Sequence, residues 1–145
     1  MELNSLYQEV ILDHYKHPHH KGINPIHDVK VHHNNPSCGD ELDLALSVVN
    51  NKVTDLSWDG VGCSISMASA SVLSDLIIGK NMQEADLILE SFTEMLQSKG
   101  RDSGNEELLE DAVAFSGVSK YPARIKCALL SWMAYKDAAI QASQK

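Results

Sequence analysis

Cys38, Asp40, Cys63 and Cys127 are the residues whose types could hold a metal ion with some taste for sulfur. The chain has three cysteines, and each lies at a turn-to-element junction beside glycine, a polar residue or a cation. Cys38 and Asp40 share one turn, Cys63 follows a hairpin later, and Cys127 lies far downstream. These are not the paired C-x-x-C steps of a zinc knuckle, so spacing alone is a weak signal. The local contexts strengthen it. Gly39 lets Cys38 and Asp40 turn onto one centre, and Gly62 plays the same part before Cys63. On this reading three thiolates and Asp40 converge on one metal, zinc in first place. The competing reading is three buried structural cysteines acting as small hydrophobes.

Three thiolates and a carboxylate on a divalent cation carry a net charge of about minus two. Arg124 and Lys126 are placed to offset it. Arg124 is three residues before Cys127 on the same helix face, where it could hold Asp40 or a thiolate. For both cations the plain alternative is a solvated helix start. The oxygen ligand bears on chemistry. A site with a carboxylate should open more easily than a closed set of four thiolates, and a freed thiolate could attack a persulfide on a partner.

All seven histidines precede Cys38: His14, His17, His19, His20, His27, His32 and His33. No pair has the i, i+4 spacing with glutamate of a zincin helix. The plain reading is a histidine-biased, loop-rich stretch. By position, His33 or His32 would be the first to join a metal.

The elements that must position these residues can be read in order. Leu3 to His17 has the helical i, i+3, i+4 rhythm and stops at Pro18. Pro18 to Asp28 is a loop. Val29 to His33 reads as a short strand, and Asn34-Asn35-Pro36 as a turn. Leu42, Leu44, Leu46 and Val48 alternate as a half-buried strand, Asn50-Asn51 is a hairpin turn, and Lys52 to Trp58 returns with room for a bulge. A glycine-rich turn, Asp59 to Cys63, leads into a helix from Ser64 to Ile78. Cys63 therefore sits where the positive end of the helix favours a thiolate. The small residues from Ser64 to Ser71 let another backbone approach. Further helices are expected over Asn81 to Lys99, Glu106 to Phe115 and Arg124 to Gln141, with an exposed, mobile loop over Lys99 to Asn105 and a turn over Gly117 to Pro122. Cys127 falls in the first turn of the last helix.

At 145 residues the chain is long enough for one domain with a core that needs no disulfide staple. Hydrophobic residues make up 43% and charged residues 22%, as in soluble globular proteins. No apolar run approaches the roughly 20 residues of a membrane span, and the amphipathic opening after Glu2 and Asn4 is no signal peptide. The cytoplasm is the expected compartment, where three cysteines should be thiols or ligands. A net charge of -8 argues against a nucleic-acid partner. It suits a basic protein partner.

Three segments, in order, carry a resemblance. They are Asn35-Pro36-Ser37-Cys38-Gly39-Asp40, then Gly60-Val61-Gly62-Cys63-Ser64-Ile65-Ser66-Met67-Ala68-Ser69-Ala70-Ser71, then Tyr121-Pro122-Ala123-Arg124-Ile125-Lys126-Cys127. With the opening Leu6-Tyr7 and Ile11 to Pro18, they resemble the IscU/NifU N-terminal family of iron–sulfur cluster assembly proteins over nearly the whole chain. Lys126 stands where scaffold-type members have a histidine, the chaperone-docking Leu-Pro-Pro-Val-Lys motif is absent, and there is extra chain around Gly100 to Glu110. These features resemble the SufU-type branch.

The resemblance implies an α+β fold with a small, mostly antiparallel three-stranded sheet and helices packed on one side. It implies zinc ligands at Cys38, Asp40, Cys63 and Cys127, a sulfur-accepting Cys38 and an activity role for Arg124. The implied function is a zinc-dependent sulfurtransferase that takes persulfide sulfur from a SufS-type cysteine desulfurase and serves downstream iron–sulfur assembly proteins. The alternatives are a scaffold holding a [2Fe-2S] cluster or iron on the same ligands, and a structural zinc module without sulfur chemistry.

Overall fold

The computed structural model describes residues 5–36 and 39–144. Its elements are α1 (Ser5–Lys16), β1 (Val29–Asn35), β2 (Asp40–Val49), β3 (Lys52–Val61), α2 (Ser64–Ile77), α3 (Met82–Gln97), α4 (Glu106–Leu109), a 3₁₀ helix (Glu110–Lys120) and α5 (Pro122–Ser143). The three strands form one antiparallel sheet in the order β1-β2-β3. This is the expected α+β arrangement.

Local chemistry explains the sheet. Asn50 and Asn51 both take positive φ, 51° and 63°, which gives the tight turn whose twist suits a two-residue hairpin. The expected bulge is on the return strand. Ser47 pairs with Asp55 and Val48 with Val53, so Thr54 is the additional residue. At the other end of β2, Asn35 pairs with Asp40, and the Gly39 N–H donates to the Asn35 carbonyl at 3.0 Å. Gly39 has φ 71°, a conformation in which glycine has no side chain to strain. β3 runs on to Val61, so Asp59, Gly60 and Val61 of the expected glycine-rich turn are strand. Gly60 is the reason the pairing can continue. Its missing Cβ would fall on the Glu41 carbonyl of β2.

Leu42, Leu44 and Leu46 on β2, with Leu56 and Trp58 on β3, are fully buried. α5 packs on β1 and β2, and α2 packs on β3. The loop after α1 lies along β3: the Gly22 N–H donates to the Trp58 carbonyl at 2.6 Å and the Asn24 N–H to Ser57 Oγ at 2.9 Å. Phe92 of α3 stacks on Trp132 of α5 at 3.9 Å between ring centroids and meets Phe115 edge-on at 6.0 Å. The edge-on contact suits the ring quadrupoles.

β1 also runs through Asn35, where a turn is expected, and two helical boundaries differ as well. The helix expected over Glu106 to Phe115 is one α turn, broken at Glu110 (φ 47°), followed by a 3₁₀ helix that absorbs the expected turn at 117–122. Ala112 to Phe115 are all buried. The segment is enclosed by α1, α3 and α5 rather than laid on one face, so a one-sided helical stripe is not what packing asks of it. α5 begins at Pro122, whose preset φ suits a first helical position. Cys127 is therefore in the second turn, beyond the turn where the helix end acts most strongly.

Candidate metal centre

Asp40 opens β2, Cys63 caps the N-terminus of α2 and Cys127 lies on α5. Each brings one ligand atom to a common point, and these atoms lie within 4.8 Å of one another. Asp40 and Cys127 are buried, at 1% and 0% exposure, and Cys63 is half-buried. Cys38 and Ser37 lie outside the described residues.

The carboxylate is held firmly. The Cys63 N–H donates to Asp40 Oδ1 at 3.0 Å, and the Ser66 hydroxyl donates to Oδ2 at 2.6 Å. Ser66 Oγ is also 3.4 Å from Cys63 Sγ. Gly62 makes room for this, because a Cβ there would overlap Asp40 Oδ1. Ser66 is not among the residues the sequence singles out. Its signal was its place in the first turn of α2, three residues after Cys63, where a hydroxyl and the free backbone N–H groups face the same anion.

α5 is brought to the centre by small residues on α2. Ser69 Oγ donates to the Ala128 carbonyl at 2.6 Å and accepts from Trp132 Nε1 at 2.9 Å. Ala68 and Ala70 are fully buried beside it. The close approach expected of the Ser64–Ser71 run is thus met by α5, at the residue next to Cys127. Cys127 Sγ is 3.6 Å from the Ala123 carbonyl one turn back.

The cations are arranged differently from the expectation. Arg124 and Lys126 are exposed, and among the described residues neither forms an ion pair. Asp40 takes its hydrogen bonds from Cys63 and Ser66 instead. His33 and His32 also go elsewhere. His33 Nε2 is 2.9 Å from Asp137 on α5, and His32 Nδ1 is 2.7 Å from Asp43 on β2.

The donor set fits zinc. A buried carboxylate with no cationic side chain in salt-bridge range, among the described residues, sits with two cysteine sulfurs. A divalent ion would supply the missing positive charge, and sulfur with oxygen is within the ligand range of zinc. Asp40 is oriented by two donors while one lone-pair direction on each oxygen remains for a metal.

Fold and site together define a protein of the iron–sulfur assembly type. The chain belongs to the NifU-like N-terminal domain family, whose model matches residues 6–128. It is 46% identical over 133 residues to the zinc-dependent sulfurtransferase SufU of Bacillus subtilis, covering 91% of this chain and 88% of that protein. It is 41% identical over 138 residues to the iron–sulfur cluster assembly scaffold protein IscU of Streptococcus pyogenes, covering 94% of this chain and 84% of that one. Its fold superposes on the crystal structure of a chain described as a SUF-system iron–sulfur assembly scaffold from Fervidobacterium islandicum. There the TM-score is 0.78 and the identity 36%, over 90% of this chain and 94% of that one.

Proposed function

We propose that this chain acts in iron–sulfur cluster biogenesis as a zinc-dependent sulfurtransferase, taking sulfur from a SufS-type cysteine desulfurase and passing it to downstream iron–sulfur assembly proteins. The observation that supports it most is the buried Asp40–Cys63–Cys127 cluster with its two-donor grip on the carboxylate. Cys38 is the proposed fourth ligand and the sulfur acceptor. It is two residues before Asp40 in the sequence. Bound zinc would keep the cysteine sulfurs ionised at neutral pH.

The transfer itself is thiol–disulfide exchange. The Cys38 thiolate attacks the outer sulfur of the partner's cysteine persulfide. A new S–S bond forms on Cys38, the S–S bond in the partner breaks, and the partner's cysteine leaves as a thiolate. No net oxidation and no proton are needed. Asp40, fixed by the Cys63 N–H and Ser66, keeps the centre assembled while Cys38 reacts. Arg124, exposed near Cys127 on α5, draws the anionic persulfide in. The reaction needs free thiols, as the reducing cytoplasm provides. No nucleic acid or membrane enters the scheme; no helix among the described residues is long and apolar enough to cross a bilayer.

The test is metal content and visible absorbance of the protein purified without added metal, followed by desulfurase turnover with and without it. One zinc per chain, no chromophore and a rise in cysteine turnover abolished by Cys38→Ala is the expected result. The second reading is a [2Fe-2S] or iron scaffold. The likeness to the streptococcal scaffold supports it, and the same sulfur donors suit iron. A brown protein with stable iron and sulfide, and little effect on turnover, would establish that reading in place of the first.

A further inference from the structure

A second group of metal-ligand side chains lies away from the cysteines. His14 on α1, His19 on the following loop and Asp75 on α2 each place one ligand atom within 4.8 Å of the others. Asp75 is twelve residues beyond Cys63, so about 18 Å separates the two centres along α2. We infer that His14, His19 and Asp75 form a second, exchangeable site for a first-row divalent cation such as Zn2+.

The ligand types fit. Two imidazoles and a carboxylate suit zinc and its neighbours in the first transition row, whereas the cysteine centre is the softer of the two. In a tetrahedral zinc site the ligand atoms stand roughly 3.4 Å apart, given metal–ligand distances near 2.1 Å. The three ligand atoms, within 4.8 Å of one another, stand somewhat wider than that.

The backbone is already fixed for this. The His19 N–H donates to Ser71 Oγ at 2.8 Å, and its carbonyl accepts from Trp58 Nε1 at 2.9 Å and from Ser74 Oγ at 3.3 Å. His20, at φ 58°, sends its carbonyl to the Trp58 N–H at 3.2 Å. The loop is thus tied to both α2 and β3, and the His14 and His19 rings are held 4.7 Å apart. Asp75 lies one turn beyond Ser71 on the same face of α2. Its Oδ2 meets His19 Nδ1, and its Oδ1 is 3.5 Å from His20 Nε2.

His14 has the surroundings of a ligating imidazole. It is 3% exposed, with Nδ1 2.8 Å from Ser71 Oγ and Nε2 3.1 Å from Asp111 Oδ2. One ring nitrogen passes to the ion while the other keeps its partner, the arrangement that orients ligating histidines in metal sites. Beside it opens a cavity of about 140 Å³ whose wall includes Asp75, Glu110 and Asp111. Three carboxylates without an arginine or lysine ion pair, among the described residues, favour a cation there. The side chains of His19 and Asp75 are 43% and 41% exposed, so water keeps a coordination position and the ion exchanges freely.

The test uses the tag-free full chain, loaded with one equivalent of zinc and titrated with further Zn2+ by calorimetry, with histidine ring signals followed by NMR. This inference does not rest on the sulfurtransferase reading, since the ring signals report the histidine site whatever fills the cysteine centre. A second binding step that shifts the His14 and His19 rings is expected. His19→Ala and Asp75→Asn, both at exposed positions, should each weaken that step about tenfold or more and leave the first step unchanged. His27→Ala should change neither. No second step below about 1 mM zinc, a step unchanged in both variants, or shifts confined to His27 and His32 would overturn the site.

Discussion

The Ser66 hydroxyl donates to Asp40 Oδ2 at 2.6 Å while lying 3.4 Å from Cys63 Sγ, so one side chain of α2 touches two residues of the candidate metal centre. Hydrogen bonds to a charged group contribute roughly 1.5–3 kcal/mol, and partners of metal ligands tune affinity about 10–100-fold. Ser66→Ala should therefore lower zinc affinity by that factor and destabilise the apo chain. Ser66→Thr should restore much of both. Competition with a chromogenic chelator and urea unfolding read the two effects separately.

Gly62 and Gly79 make a contrasting pair. A Cβ at Gly62 would overlap the Asp40 carboxylate, whereas at Gly79 (φ 90°) it meets nothing within 4 Å. Gly62→Ala should displace Asp40 and abolish stoichiometric zinc retention. Gly79→Ala should cost about 1–2 kcal/mol of stability through the left-handed backbone and keep its zinc. Metal analysis after dialysis and thermal unfolding check both outcomes.

Tyr135 is fully buried, and its hydroxyl has no hydrogen-bond partner among the described residues. Burial, and then the nearby Asp86 carboxylate, push the phenol well above its ordinary range. An unpartnered buried hydroxyl costs on the order of 1–3 kcal/mol. Tyr135→Phe is expected to stabilise the chain, by about 1 kcal/mol, in chemical denaturation at neutral pH. A loss of stability would show that the hydroxyl is satisfied in solution.

The His33–Asp137 pair ties β1 to α5. The hydrogen bond from His33, then that from Gln141, holds the Asp137 carboxyl below the ordinary aspartate range. A folded pKa lowered in this way means stability that is present above the unfolded carboxyl pKa and lost as pH falls through the folded value. The Asp137 side chain is 42% exposed, so the effect should be modest and weaken with salt. Asp137→Asn should lower stability slightly at neutral pH and make no difference once the carboxyl is protonated. Urea midpoints across an acid series, at low and high salt, measure it.

Much of this fold is legible in the sequence. The alternation of Leu42, Leu44 and Leu46 marks a strand with one buried face, and Asn50-Asn51 marks its turn, because both signals are local. Cys38, Asp40, Cys63 and Cys127 are candidate ligands by residue type and by the glycines beside them, and the structure gathers Asp40, Cys63 and Cys127, Cys38 lying outside the described residues. The 3₁₀ helix is not legible, since burial on all sides erases the periodicity by which a helix is read.

The sequence by itself determined the β2–β3 hairpin, the helix at Cys63 and the set of residues able to bind metal, for these follow from propensities and chemistry acting within a few residues. Tertiary structure decided who holds whom. Ser66 rather than Arg124 grips Asp40, because the start of α2 reaches the carboxylate and the Arg124 side chain stays in solvent. His14 and His19, rather than His32 and His33, come within 4.8 Å of a shared carboxylate, Asp75, because Trp58 and Ser71 draw the loop after α1 onto α2, 52 residues away. Such pairings depend on which surfaces the core brings together, and no local stretch of sequence encodes that.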